Sequence, residues 1–261
     1  PSTPEAPHAH DAATSTSTAP LVGPASPPAP VIGWDVGGAH VKASLLEGGT
    51  VTAIEQWATP LWTGLEHLDA AIEAARVRWP AFAHARHAVT MTAEMTDLFP
   101  DREAGVRALC DRLADRLGAA TRFYAGEAGW LDAAAAAAQW PAVASANWLA
   151  TASLVAQRLL DAVLIDIGST TTDLIAFGGG DVLTRARSDA ERLASGELCY
   201  LGVVRTPLLA LGPRLAWGGG ESNLMNELFA TTADVLRTTG ELTAPHDQQP
   251  SADGAPKDAA S

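Results

Sequence analysis

The sequence predicts an α/β fold in which one arrangement of strands and turns occurs twice. The two copies are VIGWDVGGAHVKASLL at 31–46 and VLIDIGSTTTDLI at 163–175. In each copy an apolar strand carries one Asp near its end, a turn of small residues follows, and a second apolar strand returns. Between the copies, apolar residues recur at the spacing of helices. We therefore expect two α/β halves, each opening with a matched hairpin.

Each element is predicted from its own periodicity and from the turn residues that bound it. Strands are expected at 31–35, 41–46 and 51–57, a helix at 65–79, a strand at 87–92, a helix from Pro100 to about 117, a strand at 121–124, Ala-rich helices at 127–138 and 142–160, and strands at 163–166, 172–177 and 181–184. Glycine pairs separate the first three strands, because glycine adopts the positive φ that tight turns need. The order β-β-β-α-β-α-β-α is then followed by a second β-β-β start.

Composition and charge limit the functional class. The chain of 261 residues has a formal charge of −13, with 47% hydrophobic and 18% charged residues, which is typical of a globular protein with a sizeable core. Its few, scattered Lys and Arg residues argue against a nucleic-acid surface, and no apolar run predicts a membrane span. Cys110 and Cys199 are isolated, so neither zinc nor a disulfide is indicated and a cytoplasmic setting is expected.

Both ends of the chain are predicted to lie outside the fold. Residues 1–30 consist almost entirely of Pro, Ala, Ser, Thr and His, and residues 243–261 are similarly polar. Such segments bury too little apolar surface to offset the entropy of ordering them. We expect a disordered arm at 1–30 and a mobile polar tail at 243–261.

The two hairpins predict a phosphate-binding cleft. Turns rich in Gly, Ser and Thr let backbone N–H groups and hydroxyls converge on an anion. The candidate phosphate-binding residues are Gly37, Gly38, Ala39, His40, Lys42, Gly168, Ser169, Thr170 and Thr171. Asp35 and Asp166, at the strand ends, are the candidate ligands of Mg²⁺, which usually binds protein through one or two carboxylates plus substrate phosphates. The plainer interpretation is a pair of ordinary tight hairpins.

The duplicated layout resembles the superfamily of sugar kinases, actins and heat-shock chaperone ATPases. That resemblance implies two ribonuclease-H-like domains, at 31–160 and 161–242, with a phosphate cleft between them. It also implies a nucleophile-orienting carboxylate or amide at Glu94, which follows the strand at 87–92. The nearest candidate for the superfamily's adenine-binding glycine pair is Gly218-Gly219-Gly220.

A closer resemblance lies in four longer strings: MTAEMTDLFPDREAGV at 91–106, SANW at 145–148, GVVRTP at 202–207 and MNELFATTADV at 225–235. Together they resemble the hydantoinase/oxoprolinase-like proteins of tetrahydromethanopterin-linked one-carbon metabolism, a group that includes the coupling enzyme of methanofuran biosynthesis. The resemblance implies a transferase that joins a furanylmethyl diphosphate to the phenol oxygen of a tyramine or tyrosine derivative and releases diphosphate. It also implies that the second domain continues beyond this chain.

Within that interpretation, Glu94, Lys42 and Arg205 are the candidate catalytic residues. Glu94 is the expected base for the phenolic proton, while Lys42 and Arg205 are expected to contact phosphate or carboxylate groups. Each also has a structural alternative, as a helix cap, a solvated strand residue or the partner of a neighbouring carboxylate. The expected partners are small molecules, without nucleic acid or membrane, and homo-oligomerisation stays open.

Two other functions remain open on the sequence. One is an ATP-dependent enzyme, either a small-molecule kinase or an ATPase of the hydantoinase/oxoprolinase type. The other is a nucleotide-regulated binding or assembly protein. Tight binding of ATP would favour either of these, whereas binding of diphosphate without a preference for adenine would favour the transferase.

Overall fold

The computed structural model describes residues 28–252, 254, 256 and 257. The predicted arm at 1–30 lies almost wholly outside the described residues, as does part of the predicted tail. The strands are β1 Val31–Val36, β2 His40–Glu47, β3 Thr50–Ala58, β4 Arg86–Met91, β5 Arg122–Tyr124, β6 Trp130–Leu131, β7 Ala162–Ile167, β8 Thr172–Gly178, β9 Asp181–Val182, β10 Leu198–Cys199, β11 Arg214–Trp217 and β12 Gly220–Asn223. The α-helices are α1 Glu66–Arg78, α2 Arg102–Leu117, α3 Ala133–Ala138, α4 Trp140–Val143, α5 Asn147–Ala156, α6 Asp189–Ser195 and α7 Thr232–Thr239.

The first half is built on a mixed sheet with the order β3-β2-β1-β4-β5-β6. Strands β1, β2 and β3 form an antiparallel meander, whereas β4 lies parallel to β1 and β5 lies parallel to β4. Alternate residues of β1 are buried, namely Ile32, Trp34 and Val36, as the two-residue period of a strand requires. The predicted β-β-β start and α/β class are therefore confirmed.

Helices α1 and α2 each bury one stripe of side chains against this sheet's core. In α1 the buried residues are Leu68, Ala71, Ile72 and Ala75, and in α2 they are Val106, Leu109, Cys110 and Leu113. Both sets follow the spacing of one helical face. The Asp101 side chain caps α2 by accepting a bond of 2.8 Å from the Ala104 N–H, so the helix begins close to its predicted start.

The Ala-rich region is more broken than the sequence predicted. The helix expected at 127–138 begins only at Ala133, because Gly126 and Gly129 take positive φ and Trp130–Leu131 pairs with β5 as a strand. The helix expected at 142–160 is divided, since Ser145 lies at φ 52°, between α4 and α5. Helix propensity was outweighed here by turn geometry and by tertiary contacts of Ser145.

The second half carries a smaller sheet with the order β10-β8-β7, in which β9 also pairs with β8. Ile175 and Phe177 of β8 pack with Trp148, Ala152 and Ala156 of α5. Within the described chain, β7 has a partner only on its β8 side, whereas its counterpart β1 has a strand on both sides. The β-β-β start of the first half is thus repeated in the second, but the second sheet has four strands where the first has six.

The remaining elements are peripheral. Strands β11 and β12 form an exposed hairpin, and Gly218 and Gly219 take positive φ in its turn. No helix among the described residues is long and apolar enough to span a bilayer.

Candidate active site

The first hairpin, residues 35–42, is a tight turn between β1 and β2. The Gly37 N–H donates to the His40 carbonyl at 3.0 Å, and Asp35 lies opposite Lys42 in the strand register. A Cβ on Gly37 would lie 2.9 Å from the His40 carbonyl oxygen, so the turn requires glycine there. Lys42 Nζ lies 3.3 Å from Asp35 Oδ2. The Lys42 ammonium and the Asp35 carboxylate thus stand together beside the turn.

The second hairpin, residues 166–173, repeats this geometry. The Gly168 N–H donates to the Thr171 carbonyl at 2.8 Å, and Asp166 lies opposite Asp173 in the register of β7 and β8. Gly168 therefore corresponds to Gly37, and Asp166 corresponds to Asp35. The position of Lys42 is taken by Asp173, so the two turns are alike in backbone but not in charge.

Both hairpins line one cleft of about 780 Å³. The structure brings together on its walls the predicted residues Asp35, Gly37, Gly38, Ala39, His40, Lys42, Asp166, Gly168, Ser169, Thr170, Thr171 and Arg205. The glycines suggested for adenine, Gly218 to Gly220, are not among the lining residues of the described chain. The predicted juxtaposition of the two hairpins is present, while the role of each side chain stays a prediction.

Glu94 is the one candidate catalytic residue that does not line the cleft in the described structure. Its side chain is completely buried, and its Oε1 accepts bonds from Arg102 Nη2 at 3.1 Å and Ser145 Oγ at 3.0 Å. Arg102 also bonds Asp189 at 3.0 Å, which links the first half to α6. Burial raises the pKa of the Glu94 carboxyl, and the Arg102 charge opposes that rise. Glu94 thus belongs to a buried network behind the cleft.

Arg192 is a cleft residue that sequence reasoning missed. Its buried guanidinium donates to Asp173 Oδ1 at 2.8 Å and to the Glu197 carbonyl at 3.1 Å, and its Cζ lies 4.0 Å from the ring centre of Trp148. Burial raises the pKa of Asp173, the bond and charge of Arg192 oppose this, and the Asp166 charge adds to the rise. In the sequence, Arg192 sits in a short polar segment typical of a solvated helix. Only the tertiary contact with Trp148 and Asp173 distinguishes it.

A loop at 202–205 supports the second hairpin from behind. The Val203 N–H donates to the Gly168 carbonyl at 3.0 Å, and the Arg205 N–H donates to the Ser169 carbonyl at 2.9 Å. A Cβ on Gly202 would lie 2.5 Å from the Thr170 carbonyl carbon. The Arg205 side chain is exposed at the cleft and forms no ion pair with any described residue. Its guanidinium is therefore available to an anion.

The segment at 243–249, predicted to begin a mobile polar tail, packs instead against the first hairpin. A short 3₁₀ turn, Ala244–His246, leads to Asp247, which receives two bonds of 2.9 Å from Arg237. His246 and Gln248 then contact His40 and Ala39 of the hairpin, at 2.8 Å for each nearest pair. Residues 244–248, at the start of the predicted polar tail, thus have specific hydrogen-bond partners distant in the sequence, which polar composition does not reveal.

A family model and one curated relative are each similar to most of this chain. The family model described as hydantoinase/oxoprolinase matches residues 86–258. A curated relative from Methanocaldococcus jannaschii is 30% identical over 87% of this chain and 67% of its own length. A relative from Methanococcus vannielii is 34% identical over 41% of this chain and 48% of its own. Both are named as synthases of a furan-2-yl methanamine that carries a phenoxymethyl group with a gamma-L-glutamylaminoethyl substituent.

Solved structures show only distant likeness. The Ppx/GppA family member of Aquifex aeolicus is 12% identical with a TM-score of 0.41, over 67% of this chain and 52% of its own. The ROK hexokinase of Thermus thermophilus is 16% identical with a TM-score of 0.35, over 82% of this chain and 65% of its own.

The family model covers the loop at 202–205, which contacts the second hairpin, and the segment at 243–249, which contacts the first. The sequence matches establish that this chain belongs to the hydantoinase/oxoprolinase family.

Proposed function

We propose that the protein is a transferase of methanofuran or methylofuran cofactor biosynthesis. It joins a furanylmethyl diphosphate to the phenol oxygen of a tyramine or tyrosine derivative and releases diphosphate. The observation that carries this proposal is the pair of matched hairpins that line one cleft, in a chain whose relatives are named for a product with a phenoxymethyl-furan linkage. That linkage is an aryl ether, which displacement of a good leaving group by a phenol would form.

We further propose that the cleft separates two ribonuclease-H-like domains, at 31–160 and 161–242. The equivalent registers of Asp35 with Lys42 and of Asp166 with Asp173 support a duplication. So do the matched bonds from Gly37 and Gly168 across the two turns. In this arrangement each domain contributes one hairpin to a bound diphosphate.

The cleft's charge supports a requirement for Mg²⁺. Among the described lining residues, five carboxylates (Asp35, Asp97, Asp166, Asp173 and Asp189) outnumber three cations (Lys42, Arg192 and Arg205). A diphosphate would be repelled there unless a cation accompanied it. Asp35 and Asp166 fit this role because both lie near strand ends in the cleft lining, and oxygen ligands suit Mg²⁺. Bound there, the ion would neutralise charge on the departing diphosphate.

The chain's own donors have distinct tasks in this proposal. The turns at 37–40 and 168–171 present N–H groups and hydroxyls to the phosphates, and stabilising the developing charge is usually the largest catalytic contribution. Arg205, exposed at the cleft, holds phosphate through its planar guanidinium, and Lys42 adds a point charge after leaving Asp35. The furan ring stabilises positive charge on its methylene carbon, so the bond to diphosphate breaks early.

Glu94 fits a positioning role better than that of the base. A phenol has a pKa of about 10, so its proton must leave during attack, and the acceptor must lie within hydrogen-bond reach. The Glu94 carboxylate is buried behind the wall and paired with Arg102 and Ser145. Through Arg102 it holds Asp189, which lines the cleft, in place.

Calorimetry combined with a coupling assay tests the function. We expect Mg²⁺-dependent binding of diphosphate, no preference for ATP over diphosphate, and ether formation from a furanylmethyl diphosphate and a tyramine derivative. Tight adenine-dependent binding together with ATP hydrolysis, and no ether product, would instead identify an ATP-dependent enzyme or assembly protein. We place the activity in the cytoplasm, in keeping with the free thiols of Cys110 and Cys199.

A further inference from the structure

The segment at 243–249 is held against the first hairpin by hydrogen bonds and an ion pair. Asp247 receives two bonds of 2.9 Å from Arg237, and Arg237 also bonds Asp234 at 2.7 Å. The two bridging side chains, Arg237 and Asp247, are only 16% and 14% exposed. A bidentate pair of this kind fixes the backbone on both sides of Asp247. His246 and Gln248, its neighbours, therefore reach the hairpin from an anchored position.

The contact with Gln248 determines which ring nitrogen of His40 carries the hydrogen. Its Nε2 lies 2.8 Å from the Ala39 carbonyl, which only accepts, so this atom is the amide nitrogen. The same Nε2 lies 3.2 Å from His40 Nε2 and directs its second hydrogen there. We accordingly assign His40 Nε2 as an acceptor, with the ring proton on Nδ1. Burial, followed by the nearby His246 and Lys42, lowers the pKa of His40 to about 4, so the ring is neutral at pH 7.

The tautomer of His40 in turn determines the tautomer of His246. His246 Nδ1 lies 2.8 Å from His40 Nε2, and since His40 Nε2 accepts, His246 Nδ1 must carry the hydrogen. A neutral His246 then has its lone pair on Nε2. This nitrogen has no hydrogen-bond partner among the described residues, and the His246 side chain lines the cleft. The result is an imidazole in the cleft lining that has a fixed tautomer and a basic nitrogen without a hydrogen-bond partner among the described residues.

We propose that His246 is the proton acceptor of the coupling reaction, an inference that rests on the transferase function proposed above. His246 Nε2 takes the phenolic proton as the phenol oxygen bonds to the furanylmethyl carbon. The bond from that carbon to the diphosphate oxygen breaks, and diphosphate departs with the electron pair. His40 and Gln248 are positioning residues, because they hold the His246 ring in the tautomer whose Nε2 lone pair is left free of hydrogen bonds within the described structure.

Glu94 and Asp173, two carboxylates near the cleft, are less suitable acceptors than His246. Glu94 is completely buried and bonded to Arg102 and Ser145. Asp173 is bonded to the buried Arg192 at 2.8 Å. Taking a proton would cost each of them an ion pair in a low-dielectric setting, whereas His246 Nε2 gives up no hydrogen bond within the described structure.

The test compares His246→Ala and His246→Gln with wild type in the full chain. Ether formation is measured with a furanylmethyl diphosphate and either tyramine or a more acidic fluorinated analogue. We expect kcat to fall by roughly 10²- to 10³-fold in both variants, with the diphosphate Kd nearly unchanged. Added imidazole should restore part of the rate to His246→Ala, and the fluorinated phenol should lose less. His84→Gln, at an exposed histidine outside the cleft, is the matched control.

The outcomes distinguish failure of the proposed transferase function from failure of the proposed role of His246. If wild type forms no ether, the transferase function and this role both fall. If wild type is active and His246→Ala is equally active, or loses the same factor with both phenols and is not rescued by imidazole, only the role of His246 is overturned. Nitrogen-15 NMR of the histidine rings gives a readout without turnover. We expect protonated Nδ1 and unprotonated Nε2 on both His40 and His246, and protonated Nε2 on His246 would contradict the assignment.

Discussion

The close packing of Gly202 against the second hairpin leads to a quantitative prediction about diphosphate binding. Gly202 has an ordinary φ, so its replacement by Ala does not strain its own backbone. The added Cβ would, however, lie 2.5 Å from the Thr170 carbonyl carbon and 2.6 Å from the Thr170 nitrogen. The first of these distances is about 0.9 Å short of the 3.4 Å at which ordinary contact begins. Both atoms are backbone, so the hairpin itself must move.

The size of the effect follows from that overlap. Overpacking of this kind costs about 1–3 kcal/mol. If the displaced hairpin must return to its original position to bind diphosphate, the same free energy appears as a rise of about 5- to 140-fold in Kd. Calorimetric titration with Mg²⁺ and diphosphate measures it, alongside thermal unfolding.

A matched control is available in the exposed hairpin of β11 and β12. A Cβ on Gly220 would meet no atom within 4 Å, and Gly220 also has an ordinary φ. Gly220→Ala should therefore leave both the Kd and the melting temperature unchanged. A Gly202→Ala protein that is destabilised but binds diphosphate like wild type would refute the assignment of residues 168–171 to an anion cradle. Unchanged stability as well would refute the packing argument.

Three further predictions concern single side chains. Asp35→Asn and Asp166→Asn should each raise the activation free energy of the Mg²⁺-dependent reaction by roughly 3 kcal/mol, which lowers the rate about a hundredfold. A wild-type metal dependence in both variants would exclude these residues as ligands. Arg205→Ala should weaken diphosphate binding by about 2 kcal/mol, whereas Arg205→Lys should recover part of it; identical Kd values for all three proteins would leave Arg205 without a phosphate role. His87 accepts a bond of 3.1 Å from Trp34 Nε1, and burial, followed by the Arg76 charge, lowers the His87 pKa from 6.5 to about 4. The unfolded chain therefore binds this proton first, and the free energy of unfolding should fall by roughly 3 kcal/mol as pH drops from 6.5 to 4. The free energy of unfolding, measured by urea titration at several pH values across that range, should depend less steeply on pH for His87→Leu than for wild type. An unchanged pH dependence would mean that His87 is not the group responsible.

Elements whose causes are local could be predicted from the amino-acid sequence. The meander of β1, β2 and β3 follows from alternating apolar residues and paired glycines, and α2 begins after an Asp that caps it. The two hairpins were recognisable for the same reason, because a strand, an Asp and a small-residue turn are contiguous in the chain. Their backbone bonds span only four residues each, from Gly37 to His40 and from Gly168 to Thr171.

Which side chains contact those hairpins depends on tertiary packing and could not be predicted from local patterns. Glu94 appeared accessible in sequence, yet Arg102 and Ser145 enclose it, and Ser145 holds its position through a positive φ that no propensity predicts. Arg192 resembles a surface residue until Trp148 and Asp173 surround it.

His246 shows the same limit most clearly. It lies 206 positions from the His40 ring that it contacts, within a segment whose composition is that of a solvated tail. Local patterns encode the backbone turn because its hydrogen bonds close within a few residues. The chemistry of the cleft instead depends on contacts between distant segments, whose free energy is realised only when the chain is folded.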